Sequence, residues 1–248
     1  FEVERGFREM QEAQQLARKT RSEQTYVLAG VWAYEQGTIL GIEGTPNLHE
    51  EDLDETFADW QAALESVGSP VYGTTELLVL WGRYRAIHDD PSGAREKAER
   101  AIEVAEAGWG KDSLYTVRVV SDAAQIYVAA GLHDLAHSTR ARALAGHEQI
   151  FGPDCISTDF LLWAEFNHSL AQRDFDAAEE AVRKRRKLVH SNFEPDTVRY
   201  RSAETQLAFM LLTRGEFEEA EEVLGRLDEK GAAYVASVDD AWRLLRLI

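Results

Sequence analysis

Cysteine is almost missing from this chain of 248 residues, where Cys155 stands alone. One thiol excludes an internal disulfide framework and fits a reducing compartment, and Cys155 itself reads as a small buried side chain. Basic residues are outnumbered 27 to 44 by acidic ones, a formal net charge of −17. Such a surface repels phosphate backbones and anionic lipid, which excludes non-specific binding to nucleic acid or membrane and favours basic or neutral partners. No apolar run approaches the roughly eighteen residues of a membrane span, and no charged-then-apolar leader opens the chain. The expected location is cytoplasmic. Glycines are scattered rather than gathered into a phosphate loop, and no Ser–His–Asp or Cys–His constellation can be assembled. The sequence therefore implies neither a cofactor nor an enzyme. The first residue is Phe1 and the last five are Leu244, Leu245, Arg246, Leu247 and Ile248. An opening without Met and an apolar close suit a fragment of a longer chain.

What the chain does contain is repetition. DFDAAEEA, from Asp174, returns forty-two residues later as EFEEAEEV, from Glu216. Ala94, Ala136, Ala178 and Ala220 hold one position at that interval without exception. Gly82, Ala124 and Ala208 hold a second small-residue position, which Phe166 interrupts. Expected helix openings recur at Ser69–Pro70, Lys111–Asp112, Pro153–Asp154 and Pro195–Asp196, three of them preceded by Gly68, Gly110 and Gly152. Each unit carries two apolar-periodic segments joined by a short turn, which makes consecutive helices antiparallel neighbours. The spacing predicts first helices near 69–88, 111–130, 153–172 and 195–214. Second helices are predicted near 91–109, 133–151, 175–191 and 217–229. A small residue in each first helix facing an alanine in each second lets the two approach closely. The expected fold is all-α, an α-solenoid of antiparallel helical hairpins.

At these positions the chain resembles the tetratricopeptide repeat family. Leu78, Val120 and Leu162 fill its apolar slot, and Tyr127 its aromatic slot. The forty-two-residue period is similar to the kinesin-light-chain variant with longer helices. Phe166, Glu204 in the apolar slot and Arg185 at a small-residue position depart from the pattern. The organisation expected is one domain over 1–248. Residues 1–68 form divergent leading helices (2–20, 22–41 and 49–67), 69–231 four regular repeats, and 232–248 the start of a further helix.

A solenoid of hairpins offers a concave groove lined by its first helices, and the resemblance implies recognition rather than catalysis there. The expected function is a scaffold binding a peptide or partner protein. The alternative is a regulatory domain that senses a ligand or peptide and controls an attached kinase, ATPase switch or protease. In register, the groove-facing positions are Glu76, Val79, Arg83; Arg118, Ser121, Gln125; Phe160, Trp163, Asn167; and Ser202, Thr205, Phe209. Arg83, Arg118, Ser121, Gln125 and Asn167 supply polar contacts, while Phe160, Trp163 and Phe209 supply anchors of the type that dominates interfaces.

Other motifs have plainer readings. His133 and His137, four apart, can offer two ligands to a metal, yet HDLAH lacks the glutamate of a metalloprotease helix. They read as a half-buried turn residue and a surface histidine. RKRRK, Arg183 to Lys187, reads as a solvated outer face, because Glu179 and Glu180 stand four residues before Arg183 and Lys184.

Overall fold

The computed structural model describes residues 23–40, 49, 53–195 and 197–227. The expected helix over 2–20, most of the loop over 41–51 and the segment 232–248 lie outside them. Among the described residues every regular element is helical: α1 (Glu23–Leu40), α2 (Leu53–Ser66), α3 (Val71–Ile87), α4 (Pro91–Trp109), α5 (Leu114–Ala129), α6 (His133–Phe151), a 3-10 turn (Ile156–Thr158), α7 (Asp159–Ala171), α8 (Phe175–Asn192), α9 (Val198–Arg214) and α10 (Phe217–Gly225). The architecture is an all-α array of helical hairpins, as the period predicts.

First helices begin later than the expected opening pairs. Those pairs occupy the preceding turns, and the starts of α5 and α9 are set by a side chain that captures a free N–H. Ser113 accepts from the Thr116 amide and Thr197 from that of Tyr200. Second helices start where expected: Asp90 caps α4 with Pro91 in its first turn, and Asp174 caps α8.

The forty-two-residue period reaches into the backbone. Gly68, Gly110 and Gly152 have φ of +87°, +85° and +87°. Asp89, Gly131, Arg173 and Gly215, one per hairpin turn, have φ of +55°, +72°, +60° and +80°. Each is followed by an amide that reaches back five residues: Asp90 to Arg85, Leu132 to Tyr127, Asp174 to Ser169 and Glu216 to Leu211. This left-handed residue with a six-to-one hydrogen bond is the Schellman ending, used here to reverse the chain into the second helix.

The chain divides into two compact units, at Gly146 and His147 within α6. In the first unit α3 packs against α1, α2, α4 and α5. The recurring alanines do what their spacing implies: Ala94, Ala136, Ala178 and Ala220 are all fully buried. On α4, Ala94, Ala98, Ala101 and Ala105 form a completely buried stripe. A Cβ added at Gly82 would stand 3.0 Å from Ile126 Cδ1 and 3.5 Å from the Ala94 carbonyl oxygen, so α3 and α4 meet nearly backbone to backbone. An aromatic core of Phe57, Trp60, Trp81 and Tyr84 joins α2 to α3. In the second unit, Phe166 takes up the volume a small residue would leave, packing with Ala178, Val182, Leu207 and Met210.

Candidate functional site

Two groups of the expected site residues are assembled, one in each unit. In the first, Arg83 on α3 donates to Glu35 on α1 at 2.8 Å and to Asp122 on α5 at 2.9 Å. Arg118 on α5 donates to Glu76 on α3 and lies 3.5 Å from Asp122. The result is a chain of alternating charge across three first helices, Glu35–Arg83–Asp122–Arg118–Glu76, with three carboxylates to two guanidiniums. Burial pushes the carboxyls of Glu35 and Asp122 above their ordinary range, against the opposing pull of Arg83.

Both arginines are thus committed to carboxylates of their own chain, which fixes their orientation. Ser121 is half-buried and returns its hydroxyl to the Val117 carbonyl, while Gln125 is exposed. Val79 and Thr205, expected on the groove face, are 3% and 5% exposed and belong to the core. Neighbouring first helices close over that edge, so the open face is narrower than the register implies.

In the second unit the site is built on α7. Phe160 and Trp163, one turn apart, leave 51% and 40% of their surface exposed, and their rings stack at 5.8 Å with 27° between planes. They line a cavity of about 570 Å³ with Ile156, Ser157, Asp159, Arg185 and Arg199. Arg185 is 4% exposed and donates to Asp159 at 2.8 Å, to Gln206 at 2.6 Å and to Ser202 at 3.2 Å. Arg199 lies 3.7 Å from the other Asp159 oxygen, its guanidinium 5.3 Å from the centre of the Phe193 ring. The cavity therefore has an aromatic wall and a cationic wall. Asn167, exposed one turn beyond Trp163, donates to the Trp163 carbonyl at 2.8 Å. Phe209 sits apart, half-buried against the core of this unit.

The RKRRK run is not uniformly a solvated face. Arg183 and Lys184 keep their helical partners Glu179 and Glu180, at 2.6 and 2.7 Å. Arg185 turns inward, and Arg186 donates at 2.5 Å to Glu204, which is completely buried and also bonded to His190. The departures at Arg185 and Glu204 are thus each met by an opposite charge. For Arg185 the signal was in the sequence: Asp159 stands where the preceding repeat has Val117, and Arg185 where it has Ala143. Arg199 was missed, since one arginine in a helical first turn carries no such signal.

His133 and His137 are both exposed, and among the described residues no group of three His, Cys, Asp or Glu side chains could hold a metal ion. Cys155 is half-buried rather than buried, capping the 3-10 turn by accepting from the Ser157 amide at 3.5 Å. Among the described residues no helix is long and apolar enough to cross a membrane.

No protein-family model matches the chain, and no curated protein matches it in sequence. Solved structures do match. BtubC (BKLC) from P. vanneervenii aligns with a TM-score of 0.68 at 12% identity, over 96% of this chain and 93% of its own. A putative kinesin light chain from Podospora anserina with nearly identical TPR-like repeats aligns with a TM-score of 0.55 at 15% identity, covering 93% and 96%. A singly substituted form of that protein gives 0.58 at 14%, covering 94% and 97%. The fold is thus an all-α array of helical hairpins, similar to the TPR-like repeats of these structures.

Proposed function

We propose that the protein is a non-catalytic interaction scaffold that holds a segment of a partner protein against its first-helix faces. Phe160 and Trp163 are the apolar anchor of that contact, and Arg199 and Asn167 its polar rim. The observation that carries this reading is the stacked, half-exposed ring pair over a cavity with a guanidinium wall. Leaving two large aromatics in water forgoes burial energy that a partner recovers, and aromatic and arginine side chains are the usual hot spots. Arg83, Arg118, Ser121 and Gln125 form a second contact surface on the first unit, and Phe209 acts as a supporting residue behind the α9 face. The repeat is of the longer-helix, kinesin-light-chain-like kind. Its support is the forty-two-residue period shared by the buried alanines and the left-handed turn residues.

Selection of peptides from a displayed library on the intact chain, followed by calorimetry, tests the reading. Trp163→Ala should cost a selected peptide about 2 kcal/mol or more, and Asn167→Ala about 1 kcal/mol. Affinities that survive both Trp163→Ala and Phe160→Ala would sink it.

A further inference from the structure

Three aromatic rings meet where the first helices of the first unit begin. Tyr72 lies in the first turn of α3, Trp109 is the last residue of α4, and Tyr115 lies in the first turn of α5. Their neighbours fix the arrangement. Gly108 has no Cβ, and one built there would meet Val71 Cγ2 at 2.4 Å, so α3 begins directly against the end of α4. Thr116 donates its hydroxyl to the carbonyls of Ala105 at 3.2 Å and Gly110 at 2.7 Å, which pins the start of α5 to the same end. Trp109 is packed against the core, and the rings of Tyr72 and Tyr115 lie 6.4 and 5.1 Å from its own, tilted by 54° and 37°. The two tyrosines are nevertheless 45% and 54% exposed. Large apolar surface held in water at fixed positions marks a contact site.

The charges around the rings select the occupant. Lys111 and Asp112, in the turn between α4 and α5, cancel each other. One turn along α3 and α5 from the tyrosines stand Glu76 and Arg118, one end of the chain in which three carboxylates face two guanidiniums. The rings thus border a net negative strip on a chain of net charge −17, which attracts a cation and repels an anion. Arginine suits exposed rings better than lysine, because its planar guanidinium stacks on aromatic faces and is more weakly hydrated. The chain supplies its own example. Two periods beyond Trp109 and Tyr115, the same positions hold Phe193 and Arg199, whose guanidinium is 5.3 Å from the ring centre. In the first unit both positions are rings, and the guanidinium is left for a partner to bring.

We propose that Tyr72, Trp109 and Tyr115 receive an arginine side chain from a basic segment of a partner protein. The guanidinium stacks on the exposed tyrosine faces, and the segment runs on over Glu76 toward the carboxylate chain. The proposal rests on the scaffold reading and names the chemistry of a contact on the first unit, with residues that the α7 contact does not use.

The probe is a capped pentapeptide of alternating arginine and glycine, compared with versions carrying lysine or the uncharged isostere citrulline in place of arginine. Titrated into the intact chain at about 0.15 M salt and followed by amide resonances, it should saturate, with shifts centred on the starts of α3 and α5. Tyr72→Leu and Tyr115→Leu keep an apolar side chain but remove the ring. Each should weaken binding about threefold, with circular dichroism unchanged. Trp163→Ala, which removes the α7 anchor, should leave this binding unaltered, so failure of the α7 contact does not decide it. The proposal is overturned if the lysine or citrulline peptide binds as tightly, or if both tyrosine variants keep the original affinity. It is equally overturned if the shifts scatter without saturating, or centre on α7 and vanish in Trp163→Ala. Sedimentation of a dimer that Tyr115→Ala breaks would give the rings to a second copy, which also overturns it.

Discussion

Arg118 donates to Glu76, the residue that occupies its own place on the first helix one repeat earlier, forty-two residues back. The repeat brings equivalent positions of successive helices together, so opposite charges written one period apart meet as a pair. Phe160 and Ser202 continue the same position. The scaffold is periodic, and the chemistry along it is not.

Removing Arg118 leaves the Glu76 side chain, 11% exposed, without its cation. Arg118→Ala is expected to destabilise the protein by about 1–2 kcal/mol, and by less in a Glu76→Gln background. Urea melts of the double-mutant cycle measure the coupling. Any loss of partner affinity in Arg118→Ala must be read against this cost, and zero coupling would mean that the pair contributes nothing.

The two raised carboxyls make a prediction about pH. Burial lets Glu35 and Asp122 hold their protons more tightly in the folded than in the unfolded chain. Their contribution to stability is therefore fullest at low pH. It declines as pH rises from the unfolded carboxyl range, about 4, through the raised folded values. Asp122→Asn and Glu35→Gln do not titrate. Relative to the unaltered protein, each should gain stability between about pH 4 and pH 7 in chemical melts. A difference that stays flat or runs the other way refutes the assignment.

Arg173 occupies a left-handed turn position that Gly131 and Gly215 fill in neighbouring repeats, at φ of +60° against +72° and +80°. A side chain there strains the backbone. Arg173→Gly should raise stability by about 0.5–1 kcal/mol, after the entropy that glycine loses on folding. A thermal melt decides this, and a lowered midpoint would show that the Arg173 side chain contributes more than its backbone costs.

Enlarging a fully buried alanine should overpack its hairpin. Ala136→Leu and Ala178→Leu are each expected to cost about 1–3 kcal/mol. Glu180→Leu, at a side chain 68% exposed, should cost far less. Equal tolerance at all three positions in a denaturant melt would contradict the close helix contacts.

The hairpins, their turns and the close alanine contacts were legible in the sequence because each rests on local rules applied every forty-two residues. A small residue facing a small residue packs closely, and a glycine after a helix ends it, whatever surrounds them. Periodicity reports which side of a helix a residue takes, but not what covers that side. Val79 and Thr205 could not be told from groove residues until the neighbouring helices were in place. Arg186 looked like a member of a solvated basic run, because along its own helix nothing distinguishes it from Arg183 and Lys184, and Arg185 was marked only by falling at a small-residue position of the repeat. Their inward course depends on Asp159 and Glu204, which lie 26 and 18 residues away in the chain. A buried charge is tolerable only beside its counter-charge, and that proximity is a property of the packed helices. Tertiary structure therefore decided the cationic wall of the α7 cavity and the chain of carboxylates and guanidiniums on α1, α3 and α5. Each is made of side chains from different helices, held in a low dielectric that the sequence alone does not display.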